Sequence, residues 1–213
     1  MENQSSDSQM VENPINKRVE EARSHWDKFN PLKAEELIRM LIEYIGDDPN
    51  REGVKDTPRR VVKSYKELFS GYHIDPKIVL GTTFDGAGYD QMVICKDIEF
   101  YSHCEHHMNP FFGKVHVGYI PGARVVGLSK LARLVEVFSR RLQIQEKMTQ
   151  QIADTINDVL LPAGVIVIVE AKHMCMCARG VGKQNSSMVT SAIHGVLKDA
   201  SVRSEFLSLV NLS

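Results

Sequence analysis

The feature of this sequence that most constrains its fold is a change of apolar periodicity near residue 80. Before that point apolar residues recur at helical spacing, whereas after it β-branched and aromatic segments alternate with two further helical patterns. The order after residue 80 is strand, strand, helix, helix, strand, strand. That order is typical of an α+β domain in which helices pack on one face of an antiparallel sheet. We therefore predict this fold, preceded by a helical region.

The same patterns predict the individual elements. The glycine-rich stretch 81–90 is predicted to be a loop, and Ser129 is predicted to cap the helix that it begins. In chain order we expect helices over 33–45 and 57–71, strands over 91–101 and 114–120, helices over 129–141 and 145–160, strands over 165–172 and 187–197, and a terminal helix over 202–210.

Three regions are expected along the chain. Residues 1–30 form a polar N-terminal arm, partly disordered or helical, in which 15–29 has helical spacing. Residues 31–80 form the helical region, and residues 81–213 form the domain that contains the sheet.

Composition excludes several classes of protein. The chain has 213 residues, of which 43% are hydrophobic and 25% charged, and this is ordinary for a globular domain. A formal net charge of −1 argues against a protein that mainly binds nucleic acid or an anionic membrane surface. No apolar run approaches the ~20 residues of a spanning helix, and the N-terminus lacks a secretory signal pattern. We therefore expect a cytoplasmic protein with no nucleic-acid or membrane partner.

Three of the four cysteines lie beside histidines, which favours metal binding over disulfides in a reducing compartment. Cys104 stands three residues before His107, with His106 between them, and this spacing lets one turn chelate a tetrahedral metal. His173 and Cys175 follow some seventy residues later, where alternate residues of an extended chain would point the same way. Two thiolates and three imidazoles are thus available to hold zinc.

Two kinds of zinc site are open on spacing alone. With Cys104, His107 and Cys175 as ligands, a catalytic site would keep one coordination position for water and leave two histidines for acid–base chemistry. A structural site would need a fourth protein ligand, for which His106 or Cys177 is available.

A basic cluster begins the predicted helix after Gly127. Ser129 and Arg133 lie on one face, with Lys130 beside them, where free N–H groups and the helix dipole already favour an anion. The cluster therefore predicts either a phosphate site or simply a capped helix with a solvated basic face. No phosphate-binding Walker loop is present. Further cationic candidates are Arg59, Arg60 and Arg179.

Gln145 and Glu146 open the second predicted helix. A carboxylate there can simply compensate the helix dipole. Alternatively, it can accept hydrogen bonds from N1–H and the 2-amino group of guanine, a pattern that adenine does not offer. Such a buried acceptor would discriminate well, because the wrong base would leave it unpaired.

Taken together, the motifs resemble the GTP cyclohydrolase I family. They are CEHHMNPFFGKVHVGYIP, GLSKLARLVEVFSRRLQIQEKMTQQI, EAKHMCMCARGV and VTSAIHGV, with DTPRRVVKSYKELFSGY before the sheet. The resemblance covers about residues 37–209. It implies the tunnelling fold, a ββααββ unit preceded by helices, for which residues 81–213 would be the catalytic domain.

The resemblance also implies an activity and an assembly. The family converts GTP and water to formate and 7,8-dihydroneopterin triphosphate, the first step towards folate or related pterins. It works with one catalytic zinc ion per subunit, in a toroidal homodecamer with active sites between subunits.

Site residues follow by motif position. The resemblance makes Cys104, His107 and Cys175 the zinc ligands, and His106 and His173 the acid–base pair, with Ser129 assisting proton transfer. It makes Gln145 and Glu146 the readers of guanine. Around the ribose and triphosphate it places Ser129, Lys130, Arg133, Arg179 and Arg60.

Two rival functions remain. One is another tunnelling-fold enzyme acting on a purine or pterin, such as a nitrile reductase with a nucleophilic cysteine and a nicotinamide cofactor. The other is a structural zinc module that binds a protein or nucleic acid.

Overall fold

The computed structural model describes residues 29–210, so all but the last two residues of the expected arm over 1–30 lie outside this range. The helices are α1 Pro31–Tyr44, α2 Thr57–Leu68, α3 Pro76–Val79, α4 Leu128–Ser139, α5 Gln145–Leu160, α6 Met174–Cys177 and α7 Ala200–Val210, with 3₁₀ turns at Ser70–His73 and Val196–Lys198. The strands are β1 Thr83–Asp85, β2 Val93–Cys104, β3 Pro110–Ile120, β4 Arg124–Val126, β5 Leu142–Gln143, β6 Gly164–His173 and β7 Met188–Gly195. No helix within 29–210 is long and apolar enough to cross a membrane.

The described chain divides into two compact units, one ending at Lys63 and the other beginning at Ser64. In the first unit, Asn30 caps α1 through a hydrogen bond from the Leu32 N–H, with Pro31 in the first turn. Arg51 then pairs with Asp47 in the turn that follows the helix. The predicted boundary near residue 80 stays a prediction.

The second unit is built on a five-stranded sheet with the order β5-β2-β3-β6-β7. All pairs are antiparallel except β5 with β2, which run parallel. In this register Phe111 of β3 lies opposite His173 of β6. The end of β6 is thereby brought beside the turn between β2 and β3.

Helices α4 and α5 pack on one face of this sheet, where alternating strand residues are fully buried. Each large apolar side chain buried there stabilises the fold by about 1.5–3 kcal/mol relative to exposure. The main contributors are Phe100, Phe111, Val115, Val117, Val167 and Val169 from the strands and Leu131, Leu134, Val135, Met148, Ile152 and Ile156 from the helices.

The terminal helix α7 covers part of the opposite face. Phe206 and Val210 pack there against Ile166 and Ile168, the residues that alternate with the buried valines of β6. Gly118 permits this contact, because a Cβ at that position would lie 2.5 Å from the Phe206 ring. The predicted fold class is confirmed, and α7 adds a second layer that the pattern did not place.

Two local predictions are wrong. Residues 83–85, expected in a loop, form β1 and pair with β4. The sequence around them gives no signal of this strand, because the pairing partner lies about forty residues away. Gly127, not Ser129, is the N-cap of α4 and makes no side-chain cap. Ser129 therefore lies inside the first turn, and its side chain is exposed.

Candidate active site

The first half of the site is the tight turn that joins β2 to β3. The Cys104 N–H donates to the Asn109 carbonyl at 2.8 Å, and the Met108 N–H donates to the Cys104 carbonyl at 2.8 Å. Met108 has a left-handed φ of +53°. The turn holds Nδ1 of His106 at 3.8 Å and Nδ1 of His107 at 3.9 Å from the Cys104 sulfur.

The second half follows β6, which ends at His173. The chain then turns into the short helix α6, so Cys175 lies in a helical turn and not on an extended segment. The expected placement of Cys175 by strand alternation is therefore wrong, although its sulfur still reaches the first half.

Cys104, His107 and Cys175 form what we call the Cys/His/Cys group, because their ligand atoms all lie within 4.8 Å of one another. Tetrahedral zinc with bonds of 2.0–2.3 Å separates its ligand atoms by about 3.6 Å, so the group fits zinc with small adjustments. Within residues 29–210, neither His106 nor Cys177 belongs to a group of three ligand atoms that all lie within 4.8 Å of one another. The arrangement favours the three-ligand site over the closed one.

The group is accessible from one side, since Cys104 is buried, Cys175 half-buried and His107 exposed. Burial and the neighbouring Cys104 thiol raise the pKa of the Cys175 thiol, while Arg179 acts in the opposite direction. A bound cation would reverse this balance, because metal coordination favours the thiolate.

The His173 ring is half-buried and lies two residues before Cys175 in the chain. It stacks on Phe111 with centroids 4.6 Å apart and planes 3° apart, and its Nε2 lies 2.8 Å from Oε1 of Gln145. Burial lowers the pKa of His173, an effect partly opposed by the Glu146 carboxylate.

Gln145 is 1% exposed and anchors a set of side chains that we call the carboxamide network: Gln145, Thr149 and Thr190. Its Nε2 lies 2.9 Å from the Val169 carbonyl, 3.0 Å from the Met188 carbonyl and 3.1 Å from Oγ1 of Thr190. The carboxamide nitrogen is thus directed into the protein. Glu146, by contrast, is exposed.

The expected cationic residues are arranged on separate elements. Arg133 and Arg179 are exposed and Lys130 is half-buried, and none of the three forms an ion pair with another residue of the described range. Arg60 belongs to the first unit, where its guanidinium lies 3.7 Å from the Asp56 carboxylate.

Sequence reasoning missed three residues that position the site. Phe111 stacks on His173, and Thr149 and Thr190 complete the carboxamide network. Only the strand register places Phe111 opposite His173. In the sequence, each of the three missed residues looks like an ordinary core or strand residue, so no local pattern distinguishes it.

A mainly antiparallel sheet backed by two helices, with a Cys/His/Cys group that could hold a metal ion, defines the class of this protein as an α+β domain with a candidate metal site. The family model for GTP cyclohydrolase I matches residues 34–211. The chain belongs to the GTP cyclohydrolase I family and is an enzyme of that family.

Individual relatives agree with this assignment. A protein from Wolinella succinogenes named GTP cyclohydrolase 1 is 63% identical over 177 residues, covering 83% of this chain and 95% of the relative. One of the same name from Brucella suis is 51% identical over 199 residues, covering 92% of each. The solved apo structure of archaeosine synthase QueF-Like aligns with a TM-score of 0.41 and 19% identity, over 49% of this chain and 93% of that chain, a similarity too low to support an inference.

Proposed function

We propose that this enzyme hydrolyses GTP with the help of zinc, releasing formate and forming 7,8-dihydroneopterin triphosphate. The observation that carries the proposal is the Cys/His/Cys group, whose three ligand atoms lie within 4.8 Å of one another in a chain of this family. The reaction would be the first step of tetrahydrofolate or related pterin synthesis.

Cys104, His107 and Cys175 would hold the zinc ion. When bound, zinc supplies the Lewis acidity that makes water nucleophilic near neutral pH. Two soft thiolates with one imidazole suit zinc better than magnesium or calcium, which prefer oxygen ligands. The exposed face of His107 leaves room for a substrate beside the group.

Two histidines beside the group would move protons. His173, held between Phe111 and Gln145, would protonate N7 of the purine so that the imidazole ring opens. His106, whose Nδ1 lies 3.8 Å from the Cys104 sulfur, would assist opening of the ribose. The exposed hydroxyl of Ser129, which α4 does not use as a cap, would relay protons in the later rearrangement.

Substrate recognition would combine one carboxylate with several cations. Glu146 would accept hydrogen bonds from N1–H and the 2-amino group of guanine. Lys130, Arg133 and Arg179 are not paired with carboxylates of the described chain, so they remain available for a triphosphate. Arg60 is the further candidate from the first unit. These contacts would supply binding energy and orientation without cleaving the phosphates.

The proposal includes a cytoplasmic homo-oligomer, a toroidal decamer with active sites between subunits, and excludes nucleic-acid and membrane partners. The support is family membership together with the net charge of −1. Light scattering of the purified protein tests the assembly, for which we expect about ten times the 24.0 kDa chain mass.

The decisive experiment incubates the purified protein with GTP and measures formate and pterin fluorescence. We expect both products, and we expect a chelator to abolish them and added zinc to restore them. Turnover of GTP that is indifferent to a chelator would contradict the zinc assignment. Oxidation of NADPH in place of formate release would favour the nitrile reductase alternative.

A further inference from the structure

The proton positions in the carboxamide network follow from its acceptors. The carbonyl oxygens of Val169 and Met188 can only accept, and both lie within 3.0 Å of the same carboxamide atom of Gln145. That atom must therefore be the nitrogen, since an oxygen there would face two other oxygens. The orientation of the Gln145 side chain is fixed by the ends of β6 and β7.

The threonines of the network reinforce this orientation. The Thr149 hydroxyl donates to the Gln145 carbonyl at 2.7 Å, so Thr149 Oγ1 accepts at 2.7 Å from the Thr190 hydroxyl. Thr190 Oγ1 is then an acceptor towards the Gln145 nitrogen at 3.1 Å. Each hydroxyl hydrogen has one partner, and the network is directional throughout.

The orientation of the Gln145 carboxamide also determines which ring nitrogen of His173 carries a hydrogen. The remaining atom of the Gln145 carboxamide is Oε1, which only accepts, and it lies 2.8 Å from Nε2 of His173. Nε2 must therefore carry a hydrogen, and in a neutral imidazole the other nitrogen, Nδ1, is then the free acceptor. Stacking on Phe111 fixes the plane of the ring.

We infer that Gln145 is a positioning residue, which fixes His173 as the Nε2–H tautomer so that Nδ1 is the atom that exchanges a proton with the substrate. This inference rests on the proposed function for the identity of the substrate, and it gives Gln145 a role different from reading guanine. Both hydrogens of its carboxamide are already directed at acceptors of the protein. Base recognition is left to Glu146.

In the proposed transfer, one proton moves from His173 to the purine. The imidazolium donates from Nδ1 to N7 of the purine, so that the Nδ1–H bond breaks and an N7–H bond forms. The ring is left neutral, with its remaining hydrogen on Nε2 bonded to Gln145. A side chain without an acceptor at this position would let both tautomers form and would leave the ring less firmly oriented.

The test uses Gln145→Met, which keeps the volume of the side chain but removes both polar atoms. Gln143→Met is the matched control, since Gln143 is 2% exposed and also bonds a backbone carbonyl, that of Phe138. Three quantities are compared. The rate of single-turnover formate release is measured on the zinc-loaded protein, both with His173 present and in a His173→Ala background. The dissociation constant for GTP is measured on the chelator-treated protein, which does not turn GTP over.

We expect Gln145→Met to slow formate release roughly 10- to 100-fold, less than the roughly 10²- to 10⁴-fold contribution of a whole acid–base group, because His173 itself is kept. The dissociation constant for GTP should stay within about twofold, and the substitution should have no further effect when His173 is alanine. Gln143→Met should turn over GTP normally. A weakened GTP affinity with an unchanged rate, equal in both backgrounds, would overturn the inference and make Gln145 a base reader.

A second measurement is made on the unsubstituted protein and therefore does not depend on whether Gln145→Met folds. Solid-state NMR of the unsubstituted, zinc-loaded protein with ¹⁵N-histidine reports which ring nitrogen carries hydrogen, with the His173 signals assigned by their loss in His173→Gln. We expect protonated Nε2 and unprotonated Nδ1 in the neutral ring. The opposite tautomer would overturn the inference even if GTP turnover is normal, and absence of formate release would instead refute the proposed function.

Discussion

Two polar clusters lie at the same end of the sheet and differ in how their atoms are satisfied. In the carboxamide network every hydrogen points at an acceptor of the protein, and Gln145 is 1% exposed. In the Cys/His/Cys group two sulfurs and a nitrogen face one another, and burial together with the neighbouring sulfur raises the pKa of the Cys175 thiol. The first cluster is complete within the chain, whereas the second would gain stability from a bound cation. The residues that orient His173 are thus distinct from the residues that could bind a metal ion.

The largest effect should come from the ligand cysteines. Cys104→Ser or Cys175→Ser should remove bound zinc and abolish formate release, because a hydroxyl is a much poorer zinc ligand than a thiolate. Metal analysis by atomic emission and a formate assay measure both.

Cys177→Ser is the control, since Cys177 lies in the same turn but outside the group. It should keep zinc and activity. Full zinc content in both ligand variants would mean that the Cys/His/Cys group is not the metal site, and the contrast between the two clusters would fail.

A smaller effect is expected at Glu146, which adjoins Gln145 in the chain but is exposed. Glu146→Gln should weaken GTP binding by roughly 10- to 100-fold, since an amide loses the charge-assisted acceptor for the guanine N–H groups. Equilibrium binding on chelator-treated protein measures this loss without turnover.

The exposed carboxylate Asp158 of the same helix, which pairs only loosely with Lys77 at 3.5 Å, offers a matched control. Asp158→Asn should bind GTP normally. Equal losses in the two variants would show a general effect of charge on α5, and recognition of guanine by Glu146 would be refuted.

The smallest effect should arise inside the carboxamide network. Thr190→Val removes two hydrogen bonds, at 2.7 Å and 3.1 Å, without changing the side-chain shape, so the free energy of unfolding should fall by about 1–2 kcal/mol. Zinc content should not change. Denaturant unfolding with metal analysis checks both.

Thr155→Val is the comparison variant, because among residues 29–210 the Thr155 hydroxyl bonds only the Gln151 carbonyl of its own helix. Its effect on the unfolding free energy should be smaller. Loss of zinc in Thr190→Val at unchanged stability would show that the two clusters are coupled and not separate.

Much of the fold was predictable, because the elements that carry it have strong local patterns. The predicted helix over 145–160 matches α5 at both ends, and the four long strands were placed within a few residues. The exceptions gave no signal in the local sequence: β1 is defined by its pairing with the distant β4, and Gly127 caps α4 without a side chain.

The candidate site shows the same division. Clustering of cysteine and histidine in two short segments pointed to Cys104, His107 and Cys175, but the strand alternation used to place Cys175 was wrong. Spacing also left a fourth ligand open, and the three-ligand set became favoured once the separations were known. The roles of His106, His173 and Glu146 remain predictions.

The sequence by itself determined the chemistry available to this protein: which residues can bind metal, carry a proton or pair with phosphate, and which segments form helices and strands. These properties depend on residue type and short spacing, and both are visible in one dimension. Only the tertiary structure decided that Phe111 stacks on His173 and that the Gln145 amide points inward. Strand register and the competition for hydrogen-bond partners are set by residues far apart in the chain, and they decide which atoms of a side chain remain free to react.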